Sequence, residues 1–175
     1  ERRTVGRTGR QVDLGSGIWN LESDGRGSRP AGRPASLLPS DSSSPRSYVG
    51  FGFGAIQVGL FLYEAQHSGA FGRLAVAEVM AERVAQVRRA GGCVGLNIAH
   101  ADCVERTRVG PVEILDTASD DDVRRLADLL AEATDIGTAV PGVSCYADGG
   151  QRSLAALLAA GLARKTERGG PPAVV

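Results

Sequence analysis

Apolar residues are arranged differently before and after residue 47. In Glu1 to Arg46 they are scattered (Val12, Leu14, Ile18, Trp19, Leu21, Leu37, Leu38) and follow no sustained period. The residues between them are rich in Gly, Ser, Pro and Arg, with runs such as Asp41-Ser42-Ser43-Ser44-Pro45. Such a stretch cannot bury enough apolar surface to offset the entropy of ordering it. Residues 1–46 are therefore expected to be a disordered tail, with at most a short turn near Ile18-Trp19. Eight arginines face five acids there. A transit peptide fits less well, because such peptides are poor in acids. A nucleic-acid-binding arm fits less well still, since the segment has few aromatics and no lysine.

From Ser47 the pattern becomes strand, glycine loop, helix, strand. Tyr48, Val49, Phe51 and Phe53 predict a short buried strand over Ser47 to Phe53. Ala55 to Ser68 sets Ile56, Leu60 and Tyr63 at helical spacing, with Val58, Phe61, Leu62 and Ala65 widening the apolar face and Gly69 as the stop. Leu74 to Val79 reads as a second strand. Ala81 to Ala90 reads as a second helix with Val84 and Val87 inward, closed by Gly91-Gly92. Cys93 to Asp116 alternates Val94, Leu96 and Ile98, then repeats Val104, Val109, Val112, Ile114 and Leu115, which predicts antiparallel strands. Ser119 followed by Asp120-Asp121-Asp122 is a capping residue with acids in the first helical turn, and that helix runs to about Ala133. Asp135 to Val140 is another strand, Ser153 to Lys165 a last helix, and Pro172 to Val175 the start of a further strand. Strands alternating with helices predict one domain over 47–175: a Rossmann-type α/β fold, a mostly parallel sheet with helices on both faces and a β-rich insertion.

Composition narrows the picture. The chain has 175 residues, 42% hydrophobic and 23% charged, which suits one domain with a real core. Lys+Arg 20 balance Asp+Glu 20, so no basic excess argues for nucleic acid or an anionic membrane. No stretch approaches the roughly 18 apolar residues needed to span a bilayer. Cys93, Cys103 and Cys145 form no regular disulfide framework, and reduced thiols in the cytoplasm are expected. The only methionine is Met80, and the chain closes on Pro171-Pro172-Ala173-Val174-Val175 as if entering a strand. More sequence is expected beyond that end.

The chemistry centres on Gly52-Phe53-Gly54-Ala55-Ile56-Gln57, placed between a strand and a helix. The first glycine allows the tight turn, and the second removes a Cβ so that backbone can approach a pyrophosphate. Helix N-terminal N–H groups would then face the phosphates. Glu78, ending the second strand, is where a carboxylate would receive an adenosine ribose and repel a 2′-phosphate, so NAD is expected over NADP. Gln57 stands where a third glycine is usual. It either bonds a cofactor phosphate or is merely tolerated.

The runs Gly50-Phe51-Gly52-Phe53-Gly54-Ala55-Ile56-Gln57, Val76-Ala77-Glu78-Val79, Asn97-Ile98-Ala99-His100 and Thr138-Ala139-Val140-Pro141 together resemble the N-terminal domain of the mannitol-1-phosphate 5-dehydrogenase and mannitol dehydrogenase family. The resemblance spans about Tyr48 to Val175. It implies NAD-linked, metal-independent oxidation of a polyol or its phosphate. It also implies a second, helical domain carrying the catalytic lysine, so that this chain by itself would bind cofactor without turning over substrate. Lys165, the only lysine, is given no catalytic role. Val79, Ala139 and Val140 join the expected cofactor contacts on the strength of the resemblance.

Other constellations read as structural. Cys93, His100 and Cys103 match no common zinc spacing. His100 beside Asp102 reads as a polar turn, His67 as a helix-end residue, and Asp120-Asp121-Asp122 as a helix start rather than a calcium loop. Two other functions stay open. An S-adenosylmethionine-dependent methyltransferase shares the glycine loop and the acid after the second strand, but holds an acid where this chain has Tyr48. A non-catalytic nucleotide-binding module is the other.

Overall fold

The computed structural model describes residues 45–175 and, before them, only the backbone pairing of Val12–Asp13 with Ile18–Trp19. The rest of the expected tail lies outside the described residues. The first strand, β1 (Arg46–Phe51), begins one residue before the expected boundary, where Arg46 pairs with Asp135. Then follow a helix over 55–68 (α1), β2 (Phe71–Glu78), α2 (Ala81–Arg89), the hairpin strands β3 (Val94–Ala99) and β4 (Val104–Val109), β5 (Glu113–Asp116), α3 (Asp120–Glu132), β6 (Asp135–Thr138) and α4 (Leu154–Glu167).

Four strands form a parallel sheet in the order β5-β2-β1-β6, with Tyr48 opposite Leu74 and Asp135. Val174 bridges Asp135 in parallel beyond β6, so the expected last strand begins where a fifth would lie. Counting parallel strands along the chain, the order is 3-2-1-4 with 5 starting, the order of a doubly wound parallel sheet. Its direction of winding reverses between β1 and β6, which opens a crevice at their carboxyl ends.

The period-2 alternation of the strands divides the core. Tyr48, Leu74, Val76 and Ile114 face α1, α2 and the hairpin, together with Val58, Leu62, Val84 and Val87. Val49, Phe51, Ala75, Ala77, Leu115 and Ile136 face α3 and α4, against Leu126, Leu129, Leu130, Leu154 and Leu157. Gly161 of α4 packs on Leu130, leaving no room for a Cβ. Ser119 caps α3 by accepting from the Asp122 N–H at 3.4 Å, and Ser153 caps α4 by accepting from the Ala156 N–H at 3.2 Å.

Three expectations are corrected. Glu113–Asp116 is a parallel strand of the main sheet rather than part of the antiparallel insertion, because Ile114 and Leu115 bury on opposite faces and need cover on both. β6 stops at Thr138, short of Val140. Finally, α1 is π-wound over Gln57–Leu62. The wider turn brings residues four and five apart onto one face, so Gln57, Val58 and Leu62 are buried while Ile56 and Leu60 face solvent at 62% and 52% exposure.

Candidate functional site

The turn from β1 into α1 lies at the crevice. Gly52 holds φ +81°, and a Cβ there would lie 2.5 Å from the Ala139 carbonyl oxygen, so both conformation and contact require glycine. Its N–H donates to Ala77 O at 2.9 Å, and the Ala139 N–H donates to Phe51 O at 2.9 Å. These bonds fasten the turn to β2 on one side and to the 138–141 loop on the other. Gly54 differs, since a Cβ there would meet nothing within 4 Å. The first helical rung is Val58 N–H to Gly54 O at 3.0 Å. The N–H groups of Ala55, Ile56 and Gln57 therefore precede the ladder and have no partner within the helix. Ala55 and Ile56 are exposed. A helix start beneath an unobstructed glycine can cradle an anion through backbone donors and the helix dipole.

The expected site residues gather at this edge, but their side chains divide. Ala55, Ile56 and Val79 face solvent, Val79 at 75% exposure, while Ala139 and Val140 are half-buried. Phe53 is buried in the core, and its backbone rather than its ring faces the turn's hydrogen-bond network. Gln57 is fully buried, which answers the question its position raised. Its amide donates to the Tyr48 hydroxyl at 2.7 Å, and its Oε1 is buried without a partner. The side chain fills the space over Gly50, where a Cβ would overlap it, and the Tyr48 hydroxyl lies over Gly137 in the same way. The small residues that allow close packing thus sit on the strands, covered by Gln57 from α1 at Gly50 and by Tyr48 from β1 at Gly137. The Gln57 side chain is turned into the core toward Tyr48 rather than out to the crevice. Burial raises the Tyr48 phenol above the usual range, partly offset by the Gln57 hydrogen bond.

Glu78 also departs from expectation. It is 3% exposed. Its Oε2 accepts from the Phe53 N–H at 2.8 Å and Arg83 Nη1 at 3.0 Å. Its Oε1 accepts from the N–H groups of Val79 at 2.8 Å and Met80 at 3.0 Å. The carboxylate turns into the protein instead of presenting itself to a ribose. The sequence reading missed Arg83, which only the first turn of α2 brings beside Glu78, and Tyr146, whose hydroxyl lies 2.7 Å from Thr138 Oγ1 at the crevice. An arginine five residues after the acid was the one available signal.

His100 meets Glu105 at 3.1 Å across the hairpin turn. Asp120, Asp121 and Asp122 pair with Arg152, Arg124 and Arg88. Among the described residues no group of three or more side chains could hold a metal ion, and no helix is long and apolar enough to cross a membrane. All three thiols are free. Lys165 is buried, its ammonium donating to Ala131 O at 3.2 Å and Ala133 O at 2.7 Å, which caps the end of α3. Two open depressions lie away from the glycine turn, one at the amino end of β2 and one along the outer edge of β5. No protein-family model matches the chain, and no curated protein matches it significantly.

Proposed function

We propose that residues 45–175 form the dinucleotide-binding domain of a cytoplasmic, NAD-linked dehydrogenase acting on a polyol or polyol phosphate. The observation that carries the cofactor half is the open space over Gly54, beside unpartnered helix N–H groups and at the winding reversal of the sheet. That is where ligands bind in open α/β sheets. Gly52 is accounted for by the fold alone. Gly54 is not, and a ligand's close approach gives its missing side chain a purpose. The substrate half rests on the family resemblance of the glycine turn, Val76 to Val79 and Thr138 to Pro141. NAD supplies the hydride acceptor when bound. The chain's own part is to hold the pyrophosphate at the start of α1 and the nicotinamide end near the 138–141 loop. Lys165, sealed under α3, supports the reading that the catalytic lysine belongs to a different domain.

Gly54→Ala tests this directly, because the added methyl group meets no protein atom. The variant is expected to keep the wild-type melting temperature and to bind NAD about tenfold or more weakly in calorimetric titration. Parallel titration with S-adenosylmethionine separates the methyltransferase reading. Saturable binding of that ligand and none of NAD would sink the proposal.

A further inference from the structure

Glu78 occupies the position from which a carboxylate reads an adenosine ribose, yet none of its bonding capacity faces outward. A carboxylate offers about four lone-pair sites. The four donors at Glu78 are the N–H groups of Phe53, Val79 and Met80 and the guanidinium of Arg83. Phe53 lies in the turn after β1, whereas Val79 and Met80 lead into α2. One buried side chain therefore ties the glycine turn to the start of the second helix. Arg83 offsets its charge from the first turn of α2, and the Arg83 Nε is buried without a protein partner. The residues that do face solvent beside it, Val79 at 75% and Met80 at 48%, are apolar. Two further acids lie nearby: Glu82 is exposed and accepts from Gln86 Nε2 at 3.3 Å, and Asp116, opposite Glu78 on β5, accepts from the Ala118 N–H at 2.8 Å through its Oδ1.

We propose that Glu78 is a positioning residue, a latch that holds the glycine turn in shape, and that the 2′ position of the bound nucleotide is left unread. A free carboxylate excludes a 2′-phosphate by repulsion, whereas one paired with an arginine and saturated with backbone donors does so weakly. The site then takes the 2′-phosphorylated and unphosphorylated dinucleotides alike. This rests on the dinucleotide reading above and revises the preference for NAD expected from the acid alone.

The test is calorimetric titration of the full chain with NAD and with NADP, for wild type and Glu78→Gln, together with amide hydrogen exchange of the ligand-free protein. Wild type is expected to bind the two within about threefold of each other, and Glu78→Gln to weaken both by a common factor of about ten. The Phe53 and Met80 amides should be protected in wild type and exchange faster in the variant. A preference for NAD of about tenfold or more that Glu78→Gln reverses would overturn the latch and leave the dinucleotide reading standing. An unprotected Phe53 amide in wild type would overturn it too. If folded wild type binds neither nucleotide, the dinucleotide reading falls and takes the 2′ claim with it, even with Phe53 protected. Should Glu78→Gln fail to fold, the wild-type affinity ratio and Phe53 exchange decide the matter alone.

Discussion

The two faces of the sheet are built on different terms. Beneath α3 and α4 the contacts are mostly aliphatic: Leu126, Leu129, Leu130, Leu154 and Leu157 against Val49 and Ile136, with Phe51 beside them. Among the described residues the one buried charge on that side, Lys165, is placed on backbone carbonyls that need a donor. Beneath α1 the packing includes a buried amide, a buried phenol, a π-wound turn and two strand glycines covered by side chains. The α3/α4 face is packed mainly by leucines. The α1 face also presents a helix start to the crevice, and its irregularities lie directly behind the glycine turn.

If that contrast is right, the largest loss comes from truncating the aliphatic face. Leu130 of α3 is fully buried against Gly161 of α4. Leu130→Ala should cost about 2–5 kcal/mol, because Gly161 has no side chain with which to refill the space. Chemical denaturation measures this. A loss well below that range would mean that α4 moves in to close the cavity and that this face is less rigid than its packing implies.

The same contrast explains what could be read beforehand. Leu126, Leu129, Leu130 and Ala133 repeat at plain α-helical spacing behind a serine cap, so α3 was visible in the sequence to within a residue. The glycine turn was visible too, because a strand, two glycines and a helix fall in order. Gln57 was not. A lone glutamine reads as a surface residue or a ligand, and its burial follows from a π turn that no spacing rule announces. A hint lay in Tyr48 and Gly50, which alternate on one strand face and leave a gap that something must fill. The bonding of Glu78 was equally hidden. Its position was evident, but the direction of its carboxylate is set by backbone N–H groups of the folded turn. The parallel pairing of β5 was overlooked although adjacent Ile114 and Leu115 already signalled a strand buried on both faces.

The buried polar pair offers a smaller effect and a sharper test. Tyr48→Phe leaves the Gln57 amide with neither of its polar atoms paired, and should cost about 1–3 kcal/mol. Gln57→Leu should cost less, because it strands the Tyr48 hydroxyl but also removes the partnerless Oε1. The double variant should be less destabilised than the sum of the singles, with a coupling of about 0.5–3 kcal/mol. Additive losses would show that the hydrogen bond contributes nothing beyond the packing of its two side chains.

The smallest expected effect appears only in alkali. Burial raises the folded-state pKa of Tyr48 above its ordinary value near 10, with the negative charge of Asp135 adding to the rise and the Gln57 hydrogen bond opposing it. The folded state therefore keeps its phenolic proton at a pH where the unfolded chain releases it. Tyr48 contributes its full stabilisation below the unfolded pKa, and the contribution declines as pH rises through the folded one. Stability profiles from pH 8 upward should fall more steeply for wild type than for Tyr48→Phe, which has nothing there to ionise. Other groups that titrate in this range act on both proteins, so the difference between the curves isolates Tyr48. Parallel curves would mean that the phenol ionises as readily in the folded protein as in the unfolded chain. The face behind the glycine turn would then be open to water, and its contrast with the aliphatic face would be one of composition alone.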